Sequence, residues 1–177
     1  AFMTGLERNA DIVHMATYAP LFAHVEGWQW RPDMIWFDNL NSVRTVSYYV
    51  QQLYGHHKGT NVLSLMMNKK PVTGAEGQNG LFASAVYDKN KNEIIVKVAN
   101  TSDRAQPLSL KFEGLKKQDV LSGGRCIKLR SADPDKDNTI EQPSAIQPQE
   151  TSVSIDSQVL SVELEPKTFA VYIFKKG

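Results

Sequence analysis

Near Asn61 the hydrophobic pattern of the chain changes period, and this constrains the fold more than any other feature. Before that point apolar residues recur at helix-like spacing or in one short continuous run. After it they alternate along short segments separated by Gly, Asn, Asp and Pro, which is the pattern of half-buried strands. The strand candidates are Leu81 to Tyr87, Glu93 to Ala99, Leu108 to Phe112, Cys126 to Leu129, Ser152 to Ile155, Val159 to Leu164 and Thr168 to Phe174. Most side chains from Ile94 to Val98 are apolar, so that strand is expected at the centre of a sheet. Asp88 to Asn92 and Glu165-Pro166-Lys167 read as hairpin turns, because Asn and Asp tolerate left-handed backbone. Short strands at this spacing predict an antiparallel sandwich or jelly roll, with Ser131 to Gln149 as a long polar connection.

The first third reads differently. Phe2, Leu6, Ile12, Val13, Met15 and Ala16 follow helical spacing, so a helix is expected from Phe2 to about Tyr18, ended ahead of Pro20. No Ser, Thr, Asp or Asn caps its start, and the chain reads as part of a larger protein. Arg31-Pro32-Asp33 signals a turn, and Met34 to Phe37 is a short apolar run suited to a strand buried on both faces. A polar loop from Asp38 to Ser42 then leads to a second helix, expected from Arg44 to Tyr54 and stopped by Gly55. Helix, buried strand, loop and helix follow the order of an α/β repeat, and a single strand requires neighbours from elsewhere.

Charge excludes some partners. Twenty basic and 19 acidic residues give a net charge of +1, and pairs such as Lys69-Lys70, Lys116-Lys117 and Lys175-Lys176 are short and solvated. Nothing here recruits nucleic acid or an anionic membrane. No apolar run reaches the roughly 18 residues of a membrane span. The lone Cys126 excludes an internal disulfide framework, reads as a small side chain in or beside a strand, and does not fix the compartment.

Glycoside hydrolysis needs two carboxyl groups flanking a sugar. In the first third Glu7 and Asp11 share a helix face that reads as solvated, with Arg8 nearby. Asp33 precedes the apolar run, and only Asp38 follows it, on the side where barrel chemistry takes place. His14, His24, His56 and His57 lack zinc-ligand spacing, and Ser42, Ser47 and Ser64 lack a nucleophile elbow. No complete catalytic constellation is present, and no metal or cofactor is expected. Trp36 is expected in a core, and Trp28 and Trp30 in packing between domains.

Several stretches carry a resemblance: ERNADIV from Glu7, YAPL from Tyr18, WRPD from Trp30, IWFDN from Ile35, and SYYVQQL from Ser47. LFASAVYD from Leu81, VANTS from Val98, Asp137-Asn138-Thr139, Pro143, Pro148 and LEPKTFAVY from Leu164 extend it. By these the chain resembles the C-terminal end of the family-51 glycoside hydrolases, the α-L-arabinofuranosidases. The resemblance implies a mainly β fold, an antiparallel jelly-roll sandwich (residues 60–177) preceded by the end of a (β/α)8 barrel (residues 1–59). It implies an exo-acting, retaining hydrolase of terminal arabinofuranosyl groups from arabinan or arabinoxylan, with both catalytic glutamates upstream of Ala1. This chain alone is then expected to be inactive.

Met34 to Phe37 maps to the eighth barrel strand and Asp38 to Val43 to its active-site loop. Asn39, Asn41 and Arg44 become candidates for substrate contact in the full enzyme, with capping of the next helix as their competing role. Arg44 stands where some relatives carry a glutamine. The implied partners are arabinose-containing polysaccharide or oligosaccharide and the barrel itself. Without the barrel, self-association or a disordered first third is expected, and a secreted or periplasmic parent is compatible with the composition. An alternative is an independent carbohydrate-binding module, which needs exposed aromatics on a sheet face. Phe82, Tyr87, Phe112, Phe169, Tyr172 and Phe174 fall instead in strand patterns that suggest core.

Overall fold

The computed structural model describes residues 1–72, 78–116, 118–121 and 123–177, so Lys117 of the second lysine pair lies outside the described residues. Helix α1 (Phe2–Arg8) opens the fold, followed by strands β1 (Phe22–His24), β2 (Ile35–Phe37) and β3 (Ser42–Arg44) and helix α2 (Val46–His56). Three two-residue strands come next: β4 (Asn61–Val62), β5 (Met66–Met67) and β6 (Lys70–Pro71). The remaining strands are β7 (Leu81–Asp88), β8 (Glu93–Asn100), β9 (Gln106–Lys111), β10 (Gly123–Arg130), β11 (Gln149–Ser154), β12 (Val159–Leu164) and β13 (Thr168–Lys175).

The predicted strands all form, with ends shifted by a few residues, and the chain is the expected mainly-β antiparallel sandwich with a helix-strand-helix segment before it. One layer is a six-stranded sheet in the order β11-β10-β13-β8-β7-β4, and β12-β9 forms the second. Strand β8 is central as expected, pairing with β13 on one edge and β7 on the other. Asn92 (φ 56°) and Lys167 (φ 50°) supply left-handed residues at the two predicted turns.

Strand periodicity divides the core in two. Ile94, Val96 and Val98 point with Ala83, Ala85, Cys126, Tyr172 and Phe174 toward β9 and β12. Ile95 and Ala99 point the other way, with Val86, Ile127, Leu129, Val171 and Ile173, and pack on Tyr49, Leu53 and Tyr54 of α2. The six-stranded sheet is thus covered on both faces. Gly59 lets the chain pass from α2 to β4: a Cβ there would sit 2.5 Å from Val86 Cβ and 2.9 Å from the Tyr87 carbonyl oxygen.

Lys97 belongs to the helix-covered face, opposite Ser84 on β7 and Val171 on β13, and its side chain is fully buried. Its Nζ donates to Glu7 Oε1 of α1 at 2.5 Å and to the His57 carbonyl at the end of α2 at 2.8 Å, and lies 5.0 Å from the Tyr54 ring centroid. Ser84 Oγ donates to Glu7 Oε2. Arg8 Nη1 adds a bond to the Ala83 carbonyl at 2.7 Å. This corrects the solvated face expected for Glu7 and Asp11: only Asp11 is exposed, while the Glu7 side chain is 12% exposed and buried against the sheet.

Helix α1 also ends sooner than the predicted Tyr18. Asn9 leaves helical geometry (φ −104°, ψ 32°), and its side-chain Nδ2 joins its backbone N–H on the Gly5 carbonyl, a local bond of the kind that favours helix ends. Residues 13–18 then run with neither helix nor ladder. Gly55 does not stop α2, which continues through His56 because packing on the sheet outweighs the glycine penalty.

The expectation that Met34 to Phe37 is a barrel strand awaiting outside neighbours also changes. Strand β2 pairs in parallel with β1 and antiparallel with β3, so both edges are occupied from within the chain. No edge remains there for closing a barrel.

Replacing Glu7 by Leu leaves Lys97 charged and unpaired inside the fold, and should destabilise the chain by roughly 3–5 kcal/mol in urea unfolding. Adding Lys97→Met should recover most of that loss, and a double variant no more stable than Glu7→Leu would refute this account. His57 behaves oppositely to a salt-bridged histidine. Burial, aided by Arg125, Lys97, Lys91 and His56, lowers its pKa from 6.5 to about 4, and its Nδ1 is buried without a partner. Between those values the unfolded chain binds the extra proton, so this contribution is complete above pH 6.5 and is lost as pH falls toward 4. After allowance for partial exposure, wild type should lose roughly 1–2 kcal/mol more than His57→Gln across that window. Parallel pH profiles for the two proteins would exclude it.

Candidate functional site

The β1-β2-β3 unit and the long connection after β10 face each other across an open cleft. Trp36, on β2, is 6% exposed, as the expectation of core packing requires. Its indole meets Trp28 edge to face, with ring centroids 5.8 Å apart, and the Arg31 guanidinium lies 5.1 and 5.3 Å from the two centroids. Trp28 and Trp30 are 45% and 58% exposed, so neither is covered by the sandwich of this chain. Asp135, Lys136 and Asp137 form the opposite wall.

Two ties hold the cleft open at a fixed width. Thr45 caps α2, its Oγ1 accepting from Tyr48 N at 3.2 Å and lying 2.8 and 2.9 Å from the Asp33 and Met34 carbonyls. From the sandwich side, Asp137 Oδ1 accepts from Val46 N at 2.8 Å. Buried Asn138 donates to the Arg44 and Ile146 carbonyls and accepts from Ile146 N. The connection expected to be a polar spacer is therefore a structural clamp. In the sequence the signal for this clamp is three short polar residues in a row, Asp137-Asn138-Thr139.

Asp38 organises the turn from β2 to β3. Its Oδ1 accepts from Leu40 N at 2.7 Å and Asn41 N at 2.6 Å, and Asn41 Nδ2 lies 3.3 and 3.2 Å from its two oxygens. These bonds, led by the one from Leu40, lower the carboxyl's pKa and keep it ionised. A carboxylate held this way is suited to shaping a loop and poorly suited to donating a proton. Of the sequence candidates, Asn41 is engaged with Asp38, Asn39 is exposed, and Arg44 is exposed with its guanidinium 5.2 Å from the Tyr48 ring centroid. None of the three caps α2, since Thr45 does.

Among the described residues no group of three His, Cys, Asp or Glu could hold a metal ion, and no helix is long and apolar enough to cross a membrane. Cys126 is fully buried in β10, where burial pushes its thiol up. Phe82, Tyr87 and Phe112 are half-buried, and Phe169, Tyr172 and Phe174 are buried. Among these, no aromatic strip is exposed on a sheet face.

Fold and site together describe an antiparallel sandwich clamped to a short α/β segment, and the comparisons assign that combination to a known class. The family model for the α-L-arabinofuranosidase C-terminal domain matches residues 1–168. The chain is 30% identical over 175 residues to α-L-arabinofuranosidase 1 of Arabidopsis thaliana, covering 97% of this chain and 25% of that protein. It is 41% identical over 119 residues to an extracellular exo-α-L-arabinofuranosidase of Streptomyces chartreusis, covering 64% of this chain and 14% of that one. An arabinose-bound family-51 α-L-arabinofuranosidase superposes with a TM-score of 0.85 at 28% identity, over 99% of this chain and 26% of that one. The chain belongs to the α-L-arabinofuranosidase C-terminal domain family. It spans about a quarter of the length of these full-coverage relatives.

If Asp38 holds the β2–β3 turn as described, Asp38→Ala should speed hydrogen exchange at the Leu40 and Asn41 amides while leaving amides in β8 and β13 unchanged. Unchanged protection at both turn amides would show that the carboxylate does not order the loop.

Proposed function

We propose that this chain is the C-terminal part of an exo-acting, retaining α-L-arabinofuranosidase that removes terminal arabinofuranosyl groups from arabinan or arabinoxylan. Its role is to complete and brace the catalytic barrel, with residues 1–59 as the barrel's end and 60–177 as the bracing sandwich. The acid and nucleophile glutamates are supplied by the rest of that enzyme, and the chain alone is inactive.

The observation that supports this most is where apolar surface remains uncovered. Phe2, Ile12, Met15, Leu21, Phe22, Trp30 and Leu40 are each at least 48% exposed, and all lie within the first 40 residues. Beyond them, among the described residues, the exposed large apolar side chains are Val62, Met66 and Val120, scattered singly. A concentration of this kind marks a surface that is buried by a partner. Residues 13–18, outside any helix or ladder, leave backbone groups unpaired by secondary structure beside it. With both edges of β2 occupied, we assign the barrel's last strand to this stretch in place of Met34 to Phe37. Asn39, Asn41 and Arg44 remain proposed substrate contacts, supported by their exposure on and beside the β2–β3 turn. With its partner surface bare, the chain alone is expected to self-associate.

Turnover of an aryl arabinofuranoside tests the proposal. The chain alone should show none above background, and mixing it with the remaining catalytic portion of its enzyme should restore activity. Met15→Asp, at a residue 84% exposed, should abolish that restoration without unfolding the sandwich. In the restored enzyme Arg44→Ala should raise KM by roughly tenfold, the scale of one charge-assisted hydrogen bond. Turnover by the chain alone, or restoration indifferent to Met15→Asp, would overturn the reading, and an unchanged KM would remove Arg44 from it.

A further inference from the structure

We propose that the cleft between Trp28–Trp36 and the 135–142 connection is a carbohydrate-binding site, taking a neutral pentose ring from the polymer the enzyme acts on. The substrate class rests on the functional reading above; the site itself rests on geometry.

The cleft runs along one face of β2, with Arg31, Trp36 and Asp137 reaching both of its halves, of about 470 and 630 Å³. Those volumes fall in the range of small-ligand sites. Its floor is aromatic and held in place. Trp36 is buried, Trp28 stands on it edge to face, and Arg31 covers part of both rings. Trp28 is 45% exposed, so its indole offers apolar area to the cleft, and the C–H face of a sugar ring is an apolar surface complementary to an aromatic side chain.

A second, independent observation points to a ligand. Asp33 lines the half of the cleft adjoining the one that Trp28 lines, is 1% exposed, and keeps Oδ2 buried with no hydrogen-bond partner, so a ligand that meets both residues spans the two halves. A buried oxygen without its donor is costly, and a hydroxyl group entering the cleft supplies one. Asp137 is partly engaged already, its Oδ1 accepting from Val46 N and Asn138 N. The chemistry around the opening favours a neutral ligand with hydroxyl donors. Arg31, Arg130, Lys136 and Lys167 alternate with Asp33, Asp135, Asp137 and Glu141 around it, so neither sign of charge dominates and no net field recruits an ion. Its aromatic floor comes from Trp28 and Trp36 of the first segment, although Leu129 and Phe169 of the sheet border one half of it.

Titration of the chain with xylotetraose and with arabinotriose, followed by calorimetry and tryptophan fluorescence, tests the proposal, with maltotriose as the hexose control. Saturable binding of at least one pentose oligomer is expected, with maltotriose weaker. Trp28→Ala should weaken binding by about tenfold, as loss of an aromatic contact implies. Asp33→Asn, which keeps the side chain's shape, should weaken it several-fold, and Trp30→Ala, outside the cleft, should leave it unchanged. Matching thermal midpoints for the Trp28 and Trp30 variants exclude misfolding as the cause. The proposal fails if no oligomer saturates by about 10 mM, a bound weaker than any useful site. It also fails if maltotriose binds equally well, or if Trp28→Ala and Trp30→Ala behave alike. Failure here with restored turnover intact leaves the enzyme assignment standing, whereas sugar binding without restorable turnover removes that assignment alone.

Discussion

A charged lysine in a sheet covered on both faces must find a carboxylate, and the position of that carboxylate then fixes whatever carries it. Lys97 meets this condition with Glu7, ninety residues earlier, and with the His57 carbonyl at the end of α2. The pair costs desolvation that apolar side chains would avoid, so its value lies less in raw stability than in uniqueness of arrangement. With Nζ bound to both helices and Ser84 holding the second oxygen of Glu7, α1 and the end of α2 have one way to sit on the sheet. Burial lowers the Lys97 pKa against the opposing pull of Glu7, which is the electrostatic signature of that compromise.

The other end of α2 is fixed from the opposite direction. Thr45 caps it from within the α/β segment, and Asp137 and Asn138 reach it from the sandwich. A helix bound at both ends by the sandwich behaves as part of the sandwich, whatever its origin in an α/β repeat. The cleft is a consequence of these two anchorages. Strand β2 is held beside α2 while the connection after β10 is drawn to its first turn, leaving Trp28 and Trp36 on one side of the cleft and a polar wall on the other.

Local chemistry made the sandwich legible in the sequence. Alternation, Asn at the hairpin and Pro-Lys at the second turn act over a few residues, and they placed β7 to β13 to within a few positions. The first 45 residues were much less legible because their structure is decided by distant partners. The apolar spacing of Ile12 and Met15 suggested helix, yet Asn9 ends α1 and both residues are left exposed. Glu7 beside Arg8 looked like a solvated face, because nothing near it announces Lys97. A lysine in phase with Ile95 and Ala99 on an otherwise apolar strand was the one local hint that a carboxylate had to arrive. Strand β1 escaped notice since a three-residue pairing leaves too short a pattern to read. At the site, Asn39, Asn41 and Arg44 were recognisable as polar and exposed, while Thr45 and Asp33 act through carbonyls and burial that composition does not display.

The two anchorages bear on how bracing and chemistry are divided in such an enzyme. Residues before Gly59 bring the apolar surface offered to a partner, and residues after it bring most of the core, but Lys97, Asp137 and Asn138 connect them through buried or half-buried polar bonds. Bonds of that kind are lost together when one partner moves, because each freed group is then buried without compensation. The sandwich therefore cannot loosen without releasing α1 and the stretch from residue 13 to 18 that follows it. Order in that stretch is set by the stability of the sheet behind it. A catalytic face made of loops gains from such an arrangement, since the positions of its supporting helices are then governed by a rigid core lying outside the reacting site.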